Sequence, residues 1–205
     1  MILGILIGLI VGLVLFGGAG FAIARVTDRP IDAGPAPSAS ASASLYERSQ
    51  LALSRTKVTG NLIAFSETWL PYVSGCSRDG DPNGPKLNSG EVSRVACERG
   101  AVRVTFVEYR SISDRDKMRT RVLGQNVDAR ALAPGVANPT EGREEPRGYY
   151  IEYAYKTSSE TSNRVYVGIW WDSINDPVAG YILTSWEEGL DSHWEPLRDL
   201  WKNPR

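Results

Sequence analysis

The sequence predicts an α+β domain: an antiparallel sheet of about five strands with helices packed on it, preceded by one transmembrane helix. Three observations carry this expectation. Segments such as "VRVTFVEY", "YYIEYAY" and "RVYVGIWWD" alternate with period two, as strands of a sheet do. Between and around them, apolar residues recur every three or four positions, as in helices, without the strict alternation of a parallel α/β fold. The first segment, Met1 to Ala24, carries no charged side chain at all.

That first run is long enough to cross the roughly 30 Å hydrocarbon layer as one helix. A cleaved signal peptide is the rival reading, with Ala22-Ile23-Ala24 as the A-x-A pattern. No Lys or Arg precedes the apolar run, and it exceeds an ordinary h-region, so a retained anchor over residues 1–25 is the stronger reading. No cysteine lies near it, which excludes a lipoprotein anchor. Gly4, Gly8 and Gly12 share one face of this helix and would let two copies approach closely as a homodimer, although glycine is also simply common in membrane helices. Residues 26–45 contain "DAGPAPSASASAS", which has no apolar face to bury and reads as a tether. Residues 46–205 then form the folded domain, with room for a single core.

The elements of that domain follow in order. Leu45 to Val58 is a short, polar, weakly amphipathic helix. Leu62, Phe65, Trp69 and Tyr72 fall on one helical face, which Pro71 should end or kink. A loop rich in Gly, Pro, Asp, Asn and Ser comes next. Val92–Cys97 and Ala101–Tyr109 form a hairpin around Glu98-Arg99-Gly100. In "SISDRDKMRTRVLGQ", Ser113 and Asp116 read as a capping box and Gly124 as the helix end, with Met118, Val122 and Leu123 buried. Asn126 to Gly148 reads as loop. Tyr149–Tyr155 and Arg164–Asp172 form a second hairpin, and "VAGYILTS" a further strand. Trp194, Leu197, Leu200 and Trp201 mark one face of a last helix, with Ser192 as its N-cap. Helices are expected on one face of the sheet.

The two cysteines, Cys76 and Cys97, lie about twenty residues apart across the loop. A disulfide there would stabilise the fold by about 3 kcal/mol and fits an oxidising compartment. Two unpaired inert thiols are the alternative. A catalytic thiol would have only His193 to activate it, and two cysteines with one histidine cannot build a zinc site. Orientation is contested. Arg25 and Arg29 follow the anchor, which by the positive-inside tendency places the domain in the cytoplasm. The cystine and the tether point outward, and they outweigh the arginines, so the domain is expected to be extracytoplasmic.

A resemblance strengthens that placement. The succession "VACERGAVRVTFVEY", "SISDRDKM", "IEYAY", "GIWWD" and a Trp-rich terminal helix resembles the small extracytoplasmic domains that actinobacteria carry behind one transmembrane helix. Some of these are the C-terminal sensor-like domains of Ser/Thr protein kinases. The resemblance covers roughly Trp69 to Trp201. Here no kinase domain stands before the anchor, so it implies a free-standing sensor or accessory domain. It carries over no functional residues.

Three constellations remain. "DGDPNG" places Asp79, Asp81 and Asn83 at alternate positions before Gly84, like the front of a calcium loop. Its twelfth position is Gly90, and the bland reading is a turn-rich loop. Tyr150, Tyr166 and Trp170 are expected on one sheet face, and Tyr149, Tyr153, Tyr155 and Trp171 on the other. The first trio, left uncovered, would be an aromatic platform for a glycan or an envelope protein. Glu187, Glu188 and Asp191 could serve a carboxylate-based hydrolase. Against catalysis, no nucleophile elbow, H-E-x-x-H, phosphate loop or dinucleotide fingerprint occurs. A net charge of -1 with 23 basic and 24 acidic residues argues against a nucleic-acid partner. The sequence therefore predicts a membrane-anchored, extracytoplasmic binding domain, with the glycan module and the hydrolase as alternatives.

Overall fold

A computed structural model describes residues 43–142, 148–157 and 164–205. The predicted anchor with Gly4, Gly8 and Gly12, and most of the tether, lie outside the described residues. Among the described residues no helix is long and apolar enough to cross a membrane.

The chain forms helix α1 (Leu45–Arg55), α2 (Leu62–Ser66), a 3-10 turn (Leu70–Tyr72), β1 (Ser74–Arg78), β2 (Glu91–Arg99), β3 (Val102–Tyr109) and α3 (Ile112–Leu132). β4 (Thr140–Glu141), β5 (Tyr149–Lys156), β6 (Val165–Asp172), β7 (Val178–Ser185), α4 (Trp186–Leu190) and α5 (Glu195–Lys202) follow. The strands make one sheet of seven in the order β1-β2-β3-β7-β6-β5-β4, antiparallel throughout. The α+β class is as expected. The two strands beyond the expected five are the ones that lack alternation: β1 is Gly/Ser-rich, and β4 has two residues.

The disulfide is present. Cys76 on β1 and Cys97 on β2 bond across neighbouring strands. The β2–β3 hairpin turns at Gly100, whose φ of 58° needs the left-handed region open to glycine.

One sheet face carries Val95, Cys97, Val104, Phe106, Ile182, Ile169 and Trp171. Leu62, Trp69, Leu70, Trp186, Trp194 and Leu197, from the helices and turns, close it into the main core. The helical face read around Leu62 and Trp69 is thus buried, but Pro71 divides it into α2 and the 3-10 turn. The other face carries Val107, Tyr109, Ile151, Tyr153 and Trp170, and Val122, Met118 and Leu123 of α3 pack against it. Helices therefore lie on both faces, contrary to the one-sided expectation.

α3 also departs at both ends. Ser111, not Ser113, caps it, its hydroxyl accepting from Asp114 N–H at 3.1 Å. The helix runs straight through Gly124 to Leu132. A glycine stops a helix only when the chain takes the left-handed turn there, and this one does not. The extra length has a physical use. β4 covers β5 only at Tyr149 and Tyr150, which would leave the rest of β5 an open edge. α3 lies along it, and the buried Asn126 amide donates to the Glu152 carbonyl (2.7 Å) and the Ala137 carbonyl (2.9 Å). α5 begins after Trp194 rather than at Ser192, which has a φ of 59°. The inward-facing residues read for α5 hold: Trp194 and Leu197 are buried and Leu200 and Trp201 half-buried.

Candidate functional site

Sheet register decides where the aromatic residues go. Tyr150 pairs with Trp171, and Ile151 with Trp170. Alternation within each strand is as read, but the two strands meet one residue away from the expected pairing. A one-residue offset moves a whole strand to the other face. Tyr150 therefore shares the core face with Trp171, while Tyr166 and Trp170 sit on the opposite face with Tyr149, Tyr153 and Tyr155. Trp170 is only 1% exposed, stacked on Tyr181 at 6.1 Å. The expected Tyr150–Tyr166–Trp170 platform does not exist.

Tyr150 instead lines a cleft of about 530 Å³ between the start of β5, β4 and the end of α5. Tyr149, Tyr150, Trp201 and Lys202 form its walls, with Glu152 and Arg198 at its base. Tyr150 and Trp201 meet edge to face at 4.5 Å. The Glu152 side chain is 1% exposed. Its Oε1 accepts from Arg198 Nε (2.7 Å) and Tyr150 OH (2.7 Å), and its Oε2 from Arg198 Nη2 (2.9 Å) and Ala137 N–H (2.6 Å). Four donors on one buried carboxylate are what a charge removed from water requires. Burial alone would push the Glu152 carboxyl up. The Arg198 hydrogen bonds, then those of Ala137 and Tyr150, outweigh it and hold the carboxyl below its ordinary value. Tyr150 is raised by burial and by its bond to Glu152, so it stays a hydroxyl donor. Arg198 also donates to Gly135 O and Glu195, leaving little of its fork free.

The cleft thus has apolar walls over a neutralised ion pair, with the exposed Lys202 cation at its rim. Neither Glu152 nor Tyr150 is poised to exchange a proton near neutral pH. The pairing of Glu152 with Arg198 spans 46 residues and has no local signature, which is why the sequence reading missed it. The linkage to pH has a definite sign. A carboxyl lowered in the folded state stabilises fully above its unfolded value near 4.3 and loses that contribution as pH falls through the folded value. Urea midpoints should therefore hold steady from neutrality to about pH 5 and fall below it. Glu152→Gln should be less stable at pH 7 and lose less on acidification. Equal acid sensitivity in the two chains would remove Glu152 from the account.

The remaining sequence candidates are apart from this cleft. Asp79 Oδ1 accepts from Arg94 N–H (2.8 Å) and Ser93 Oγ (3.2 Å). Asp81 Oδ2 accepts from Lys57 Nζ (2.8 Å) and Arg78 N–H (3.0 Å), and these, Lys57 first, lower its pKa. Asn83 takes a left-handed turn at φ 62°. The Asp79 and Asp81 carboxylates are thus directed to strand and lysine donors. Among the described residues no group of three or more His, Cys, Asp or Glu could hold a metal. Glu187, Glu188, Asp191 and His193 are exposed, and Glu188 pairs with Arg164 at 2.8 Å.

A second, smaller depression of about 380 Å³ is lined by Arg103, Tyr166, Leu183 and Glu188. Beside it, the half-buried rings of Tyr155 and Tyr166 stack at 5.7 Å. No protein-family model, curated protein or solved structure matches this chain.

Proposed function

We propose that this chain is a membrane-anchored, extracytoplasmic binding domain that recognises a small ligand in the β5–α5 cleft and acts as a sensor or accessory module, without transforming what it binds. The observation that carries this reading is the cleft itself. It is concave and aromatic-walled, and its one buried carboxylate is fully satisfied by its own neighbours. Groups held this way shape a site but are not available as acid, base or nucleophile. The cystine between β1 and β2 supports an oxidising compartment, and the uncharged Met1–Ala24 run supports the anchor. The chemistry of the walls favours a flat apolar ligand with an anionic group near Lys202.

The probe 1-anilinonaphthalene-8-sulfonate has that chemistry. Its fluorescence should rise saturably with the folded chain. Trp201→Ala, which removes a wall, should weaken binding about tenfold, equivalent to ~1.4 kcal/mol. Unchanged affinity in a variant that melts like the parent would sink the cleft reading.

A second reading is favoured by one observation. The stacked Tyr155 and Tyr166 beside the second depression offer a ring surface to sugars. Glycan binding, if it occurs, moves from the expected trio to this pair. Retention on purified cell-wall material should then be lost in Tyr166→Ala and kept in Trp201→Ala.

A further inference from the structure

The outward side of α1 is an unusual surface for a helix of a folded domain. Leu45, Tyr46 and Leu53 are 77%, 65% and 63% exposed, among the most exposed large apolar side chains described. They are not scattered. At 100° per residue, Leu45, Tyr46, Ser49, Ala52 and Leu53 lie together on the side away from the buried Ser54, and Arg48 and Arg55 flank them along one border. Within the helix no acidic residue shares that side, and at its border the half-exposed Arg55 pairs with Glu67 at 3.5 Å. Glu47, the helix's one carboxylate, is turned back to accept from Ser44 N–H at 2.7 Å in a capping box. The helix is therefore well formed at its start and cannot gain by burying this face against its own domain, because its opposite side is already packed there.

We infer that this face of α1 lies on an anionic lipid surface, so that the domain is held flat against the membrane instead of swinging on its tether. The inference rests on the anchored reading proposed above. Two features of the chain select lipid over other occupants. A stripe of Leu and Tyr bordered by arginines is the pattern of a helix lying in the interface, its rings and aliphatic groups among the headgroups and its guanidinium groups beside lipid phosphates. α1 starts at Leu45 on its Ser44 cap, and the uncharged Met1–Ala24 run and the "DAGPAPSASASAS" tract read as a tether lead into it in the sequence. Of all the surfaces of the domain, α1 is joined to that tether directly, so the membrane meets it at high effective concentration and weak contacts suffice.

The test uses the full-length chain reconstituted in phosphatidylcholine vesicles with and without phosphatidylglycerol. An environment-sensitive dye is placed on Leu53→Cys after folding, or on Val127→Cys of α3, which is equally exposed in the native chain. Nitroxide-bearing lipid is the quencher. The dye at position 53 should lose at least half its emission in phosphatidylglycerol vesicles, and the dye at 127 almost none. Arg48→Glu with Arg55→Glu should abolish that difference. A chain that floats with the vesicles yet leaves position 53 unquenched would overturn the inference and leave the anchor intact. In the same vesicles, unlabelled Leu53→Cys chains that cross-link to one another as disulfides, together with no lipid quenching of the labelled chain, would overturn it in favour of self-association. A chain that does not float would overturn both readings.

Discussion

An Asp172→Ala chain should lose about 3–5 kcal/mol of stability, the usual cost of removing one partner from a buried ion pair. Asp172 is 0% exposed at the end of β6. Its carboxylate accepts from Arg119 Nε at 2.7 Å, Trp170 Nε1 at 3.4 Å and Tyr149 N–H at 2.8 Å, with Arg115 Nε at 3.8 Å. Arg115 is itself buried and also donates to the Ser173 and Asp176 carbonyls of the β6–β7 turn. One carboxylate thus ties the first turns of α3 to the end of β6 and the start of β5. Alanine leaves two guanidinium groups facing a void, with the half-exposed Asp116 as their remaining counter-charge. At ~2–4 °C per kcal/mol for a domain of this size, melting should fall by about 6–20 °C. Asp116→Ala, on the exposed partner of the same arginines, is the control and should change stability by less than about 1 kcal/mol. A loss that small for Asp172→Ala would mean that water enters and solvates the arginines.

Removing the cystine should cost about 3 kcal/mol, from the chain-entropy cost of opening a loop whose ends are 21 residues apart. Cys76→Ala with Cys97→Ala should lower melting by about 6–12 °C. Cys97 lies within the main core, so the change also removes packed sulfur atoms there. β1 is an edge strand held to the sheet only by β2, with no alternating apolar face of its own. The loss should therefore be local first. Hydrogen exchange should speed up across Ser74–Arg78 before the strands from β3 to β7 respond. Uniform acceleration across the sheet would show instead that β1 and the rest unfold as one unit.

Much of the secondary structure was legible because its signals are local. β3, β5 and β6 alternate in side-chain direction within eight residues each, although burial runs nearly unbroken along them because helices cover both faces. The inward side of α5 was readable from the spacing of Trp194, Leu197 and Trp201 for the same reason. The helix ends were less legible. Gly124 carries a stop signal that is honoured only when the chain has somewhere else to go, and here continuing α3 covers the open edge of β5. β1 and β4 were not legible, since strands this short or this polar exist through their neighbours.

The candidate site was not legible at all, although each of its residues was in view. Tyr150 was assigned to a platform with Trp170, and the register places them on opposite faces. Glu152 looked like one polar position in an apolar strand. Nothing near it in the chain announces Arg198, and nothing near Asp172 announces Arg115 and Arg119.

The sequence by itself determined the α+β class, the main strands, the helical faces and the cystine. Each of these is set by residues close in the chain or by a pair with no competing partner. The tertiary structure alone decided which residue of β5 lies opposite which residue of β6, where the buried carboxylates Glu152 and Asp172 find their arginines, and hence where a cleft opens. The physical reason is that side chains alternate with period two, so cross-strand register is a choice between two faces that no single strand contains. A buried charge likewise becomes acceptable only when a partner from far along the chain arrives beside it.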